Sequence, residues 1–201
     1  VNSQQGVSGQ TTGTYNISLG ENALFGLTTG NHNFVVGAGA GYSLTTGENN
    51  VIIGLAAGDA LTATSNTILI GRNAGTAINH TDANGTTIVG NYAGAALQTG
   101  QYNTALGTSA LASEVDGNFN TAIGYEALYN QNRDGTVNNT AVGYRAGYAV
   151  TTGYENAILG GNAGLALTEG FENTLIGANT APALTTGDFN VAVGSDALYS
   201  E

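Results

Sequence analysis

Residues 120–128 read NTAIGYEAL, and this stretch returns in altered form from one end of the chain to the other. Its central glycine recurs at Gly20, Gly37, Gly54, Gly71, Gly90, Gly107, Gly124, Gly143, Gly160, Gly177 and Gly194, a spacing of 17 residues eight times and 19 twice. A fixed period of this length signals one structural unit stacked on its neighbours, so the chain reads as a repeat protein of eleven rungs. Residues 1–201 form a single repeat domain, in which 1–13 are a degenerate first rung and 14–201 the regular ones.

Counting each rung from its central glycine as position 0 separates the residues into columns. Position −1 is a large aliphatic residue in all eleven rungs, from Leu19, Val36 and Ile53 to Val193, which suits an inward-facing strand position. Position −4 is Asn16, Asn33, Asn50, Asn103, Asn120, Asn139, Asn156, Asn173 and Asn190, with Thr67 and Thr86 in the remaining rungs. In a parallel stack, amide side chains one rung apart can hydrogen-bond along the axis as an asparagine ladder. Position +3 is alanine in nine successive rungs, Ala23 to Ala163, and position +7 supplies a second apolar contact at residues such as Leu27, Leu44, Ile78 and Leu167. A recurring LTTG then turns the chain back.

Two or three short strands with Gly or Asn at the corners make one coil of an all-β, parallel β-solenoid. A helical reading fails because glycine interrupts every possible helical turn. The longer spacings hold NHTDANG at 79–85 and NQNRDGTVN at 130–138, which swell one corner.

Position −2 reads Ser18, Val35, Ile52, Leu69, Ile88, Ala105, Ala122, Ala141, Ile158, Leu175, Ala192, apolar in ten of eleven rungs. Strand alternation sets it on the face opposite position −1. Val35, Ile52, Leu69, Ile88, Ile158 and Leu175 are therefore expected to face another chain, the alternative being a wider core within one chain.

Composition narrows the functional classes. Only 8% of residues are charged, lysine is absent, Arg72, Arg133 and Arg145 are the only strong bases, and the net charge is −11. Such a chain has little with which to neutralise phosphates, which disfavours nucleic acid and anionic membrane surfaces. No apolar run approaches the roughly 18 residues that span a bilayer. Without cysteine there is no disulfide framework, and without an initiator methionine the sequence reads as a mature or excised piece of something longer.

Chemistry-bearing constellations are sparse, and no cofactor or enzymatic activity is expected. His32 and His80 stand apart in sequence. Glu155 and Glu172 share a column in adjacent rungs, about 5 Å apart, the carboxylate separation of a retaining glycosidase, yet they sit at a polar corner where solvated charge is ordinary. TDANG at 81–85, EVDGN at 114–118 and RDG at 133–135 carry oxygen ligands suited to calcium, but none completes a calcium loop, and Asp or Asn beside Gly commonly makes turns. Aromatic residues form two partial columns, one with Phe25, Tyr42, Tyr129, Tyr148 and Tyr199, the other with Tyr15, Tyr102, Phe119, Tyr154, Phe171 and Phe189. They suit packing over the coil or, alternatively, stacking on sugar rings. Threonines beside TTG raise ice binding as a further reading.

NTALG, NTAIGYEALY, NTAVGY and TTG resemble the repeats of trimeric autotransporter adhesin heads (the YadA-like head) and of tail-fibre and surface proteins with an NTAxGYxAL repeat. The resemblance covers residues 15–200 and implies a left-handed parallel β-roll, three chains side by side, and surface attachment. The expected function is a structural and adhesive module of an extracellular fibre, on a cell surface or a virion, with a homo-oligomeric partner and a glycan or protein receptor. The alternative is a subunit that polymerises head to tail into a filament. Ice-binding and glycan-degrading solenoids are the remaining readings.

Overall fold

The computed structural model describes residues 12–200, and the start of the degenerate first rung lies outside them. The described chain is a β-solenoid of about ten turns. Each rung contributes one three-residue strand: β1 (Ile17–Leu19), β2 (Phe34–Val36), β3 (Val51–Ile53), β4 (Ile68–Ile70), β5 (Thr87–Val89) and β6 (Thr104–Leu106). The series continues, past the two-residue β7 (Gly117–Asn118), with β8 (Thr121–Ile123) and, past the two-residue β9 (Gly135–Thr136), with β10 (Thr140–Val142), β11 (Ala157–Leu159), β12 (Thr174–Ile176) and β13 (Val191–Val193). The eleven longer strands form one parallel sheet in rung order, and β7 pairs with β9 in a second, two-stranded sheet. Register follows the repeat, so Val35 pairs with Ile52, Ile52 with Leu69 and Leu69 with Ile88.

One strand per coil is fewer than the two or three expected, because turns make up the rest. The chain reverses through left-handed residues, including Tyr15, His32 and Glu155 at position −5, Asn22 and Arg145 at +2, and Leu24 and Leu128 at +4. A left-handed conformation costs an L-residue roughly 1 kcal/mol, and it persists here because backbone amides bond the rung above or below. Gly54 N–H, for example, donates to Val36 O at 2.8 Å. The central glycine serves a second purpose. Gly54 has φ +135°, and a Cβ there would collide with the carbonyl of Gly71 one rung on.

The strand faces are the reverse of the sequence assignment. Val35, Ile52, Leu69, Ile88, Ile158 and Leu175 are fully buried inside their own chain, so they do not form an interchain surface. Position −1 instead points outward, with Leu19 64%, Leu106 46%, Leu159 38% and Val193 66% exposed. Position −2 joins the buried alanines of position +3 and the apolar residues of position +7, such as Leu44 and Leu97, in one continuous core.

That core is size-matched between two columns. Where position −2 is large, as at Ile52, Leu69, Ile88 and Ile158, position +4 is Gly58, Gly75, Gly94 and Gly164. Where position −2 is small, at Ser18, Ala105, Ala122 and Ala192, position +4 is Leu24, Leu111, Leu128 and Leu198, with one exception, the rung that pairs Ala141 with Gly147. Close packing at interior density demands this exchange of volume.

Candidate functional site

The asparagine ladder is present. Asn33 Nδ2 donates to Asn16 Oδ1 at 3.1 Å and to Gly47 O at 2.9 Å, and Asn50 Nδ2 donates to Asn33 Oδ1 and Thr64 O, both at 2.9 Å. Thr67 continues the series through its hydroxyl, 2.8 Å from Asn50 Oδ1. Beyond the first insertion, Asn103 Oδ1 accepts the Asn120 backbone N–H, Asn120 Oδ1 accepts that of Asn139, and the backbone N–H groups of Asn156, Asn173 and Asn190 follow in turn. The ladder is buried along most of its length, which makes it a strut rather than a binding surface.

Two polar residues replace leucine in the position +7 core column. Glu114 and Gln131 are both fully buried. Gln131 Oε1 accepts from Asn139 Nδ2 at 2.7 Å, so its amide is absorbed into the ladder. Glu114 Oε1 accepts Gly117 N–H at 2.7 Å and Val115 N–H at 2.9 Å, while its Oε2 and the nearby ladder amide Asn120 Nδ2 have no hydrogen-bond partner. Burial pushes the Glu114 carboxyl above its ordinary value, against the opposing pull of backbone hydrogen bonds from Gly117, Arg133, Val115 and Asp116. A carboxylate ligand set around EVDGN is thus contradicted, because Glu114 points into the core. Among the described residues no cluster of three or more His, Cys, Asp or Glu side chains is positioned to hold a metal ion.

Position −6 carries a second polar ladder, which sequence reading missed because its residue type varies. Asn31 Oδ1 accepts Thr14 N–H at 2.8 Å, Asn31 Nδ2 donates to Glu48 Oε1 at 2.9 Å, Ser65 Oγ accepts Glu48 N–H at 2.9 Å, and Asn84 Oδ1 accepts Ser65 N–H at 2.7 Å. The threonine after the position +7 residue is also engaged in several rungs, since the hydroxyls of Thr28, Thr45, Thr62 and Thr151 donate to carbonyls one rung on. Glu155 and Glu172 lie exposed at left-handed corners with φ 55° and 53°.

Two surface features remain. The first is the outward sheet face, a row of aliphatic side chains at position −1 beside position −3. Position −3 is Ile17, Phe34, Val51 and Ile68 toward the N-terminal end and mostly threonine from Thr87 onward. The second is a corner where two tyrosine columns meet an ion pair. Tyr125 stacks on Tyr144 with centroids 5.5 Å apart and planes 9° from parallel, and Tyr129 stacks on Tyr148 at 5.4 Å. Between them Arg145 Nε contacts Glu126 Oε2 at 2.7 Å, and its guanidinium carbon lies 5.4 Å from the Tyr144 ring centre and 5.1 Å from that of Tyr148. The Glu126 carboxylate beside it, through a side-chain hydrogen bond first, holds the Tyr125 phenol above its ordinary value. The aromatic columns expected from sequence stack elsewhere too, at Phe25 on Tyr42, Tyr102 on Phe119 and Tyr154 on Phe171.

No family model matches the chain, and neither a curated protein nor a solved structure does. Among the described residues, no helix is long and apolar enough to cross a membrane.

Proposed function

We propose that the protein is a rigid structural and adhesive module of an extracellular fibre, whose copies associate through the outward face of the eleven-stranded sheet. The observation that carries this reading is the row of aliphatic side chains at position −1, all of them at least partly exposed and five of them, Leu19, Leu106, Leu159, Ile176 and Val193, 37–66% exposed. Eleven rungs at about 4.8 Å and strands about 10 Å wide make that face on the order of 500 Å² in projection, at the upper end of apolar patches on monomers. A second copy fits better than a charged partner, because the face carries only aliphatic, aromatic and threonine side chains. The likeness of NTAIGYEALY to adhesin-head and tail-fibre repeats supports three copies and an extracellular setting. It now puts the isoleucine of NTAIG on the outside and the alanine inside.

Burial of the fold's polar groups in ladders supports the mechanical part of the reading. Backbone amides tie each rung to the next, and asparagine amides and threonine hydroxyls reinforce many of these steps, so stiffness is distributed along the axis.

Paired substitution tests the surface. Ile123→Glu with Val142→Glu places two charges on the outward face and is expected to give a folded single chain. Ala122→Glu, on the inward face of the same strand, is expected to unfold it. An unchanged native mass for a folded Ile123→Glu/Val142→Glu variant would contradict the association.

A further inference from the structure

We infer that the corner formed by Tyr144, Arg145, Asn162 and Gly161 is a platform for a neutral pyranose ring, which names a ligand class for the adhesive module and rests on that reading. Tyr125 covers one face of the Tyr144 ring from the rung below. The same column one rung above holds Gly161, where a Cβ would find nothing within 4 Å. The next residue of that column is Ala178. The stack of rings therefore ends at Tyr144, which is 52% exposed and has only the Arg145 guanidinium, 5.4 Å from its centre, over part of the ring. Tyr42, by contrast, stacks on Phe25 and is followed in its column by Asp59.

An exposed aromatic face offers what the C–H face of a pyranose requires, an apolar surface with a negative quadrupole. The rim supplies hydrogen-bonding groups for equatorial hydroxyls. Arg145 is held in place by Glu126 at 2.7 Å and by its position between Tyr144 and Tyr148, so it is preorganised rather than mobile. Asn162 occupies the Arg145 column one rung on, where its Nδ2 donates to Asn179 Oδ1 at 3.3 Å. Both Arg145 and Asn162 are left-handed, with φ 54° and 56°, which fixes the two side chains at the same corner. The Arg145–Glu126 pair has no net charge and the chain carries −11, so an anionic sugar is repelled and a neutral one is not.

Saturation-transfer NMR on the intact chain tests the platform, with cellotetraose, maltotetraose, mannotetraose and chitotetraose as probes. Transfer to the ring C–H protons of at least one is expected. Tyr144→Ala is expected to weaken it at least tenfold, and so is Gly161→Tyr, which caps the open face at a position with room for a side chain. Tyr42→Ala is expected to leave it unchanged. Transfer to none of the four, or full binding by both Tyr144→Ala and Gly161→Tyr, would overturn the inference. Light scattering on the same samples separates the two proposals. An associated chain that transfers to no sugar sinks the platform alone, whereas a sugar-binding chain that stays single sinks the fibre reading and keeps the platform.

Discussion

The Cδ1 methyl of Ile88 fills the space that a side chain at Gly94 would need, since a Cβ built on Gly94 would lie 2.6 Å from it. The two residues belong to one rung, and the volumes of their columns trade against each other in every rung but that of Ala141 and Gly147. Ile88→Ala is expected to cost about 3 kcal/mol through the cavity it leaves, and Gly94→Leu a similar amount through overpacking and left-handed strain. The double variant reproduces the Ala122 and Leu128 arrangement found two rungs on. It is expected to recover most of the loss, with a coupling of about 2 kcal/mol in a denaturation cycle. Additive losses would contradict the size-matching.

Glu114 gives a prediction in pH. Its carboxyl is raised in the folded chain, chiefly by burial, so the folded state holds the proton more tightly than the unfolded one. Its contribution to stability is full below the ordinary value near 4.5 and is lost as pH rises through the folded value. Glu114→Gln keeps an oxygen for the Gly117 amide and removes the ionisation. Urea midpoints for the variant are expected to equal the parent's at pH 4 and to exceed them at pH 8, by about 1 kcal/mol in stability. Equal midpoints at both pH values would contradict the buried-acid account.

Loss of a ladder amide should scale with its bonds. Asn50 donates to Asn33 and Thr64 and accepts from Thr67, so Asn50→Ala strands several buried groups and is expected to cost about 3 kcal/mol. Asn120, whose Nδ2 has no hydrogen-bond partner, is expected to lose about half as much on the same substitution, read from the same denaturation midpoints.

Neighbouring glycines separate conformation from space. Gly160 has φ +137° and no room for a Cβ beneath the Gly177 carbonyl, whereas Gly161 has open space around it. Gly160→Ala is expected to destabilise by about 3 kcal/mol, and Gly161→Ala to change stability by less than about 0.5 kcal/mol, measured by thermal melting.

The period and the ladder were legible because they depend on one residue type recurring at one spacing. Strand orientation was not. Positions −1 and −2 are both apolar, so alternation alone says that two faces are covered without saying which is inside. The deciding signal was the volume exchange between Ile88 and Gly94 or Ala122 and Leu128, which ties position −2 to a neighbour across a confined interior. Position −1, uniformly large from Leu19 to Val193, has no such counterpart. The tyrosine corner is hidden for a different reason. Tyr129 and Tyr148 recur at one spacing, whereas the parallel pair Tyr125 and Tyr144 stands out only through the open space at Gly161, which ends its stack of rings.

Native mass by light scattering over a hundredfold dilution tests the central claim, association through the outward sheet face, most directly. The account predicts a discrete multiple of the 20.1 kDa chain that persists on dilution and falls to one chain in the folded Ile123→Glu/Val142→Glu variant. A parent protein that runs as a single folded chain at every concentration would contradict it.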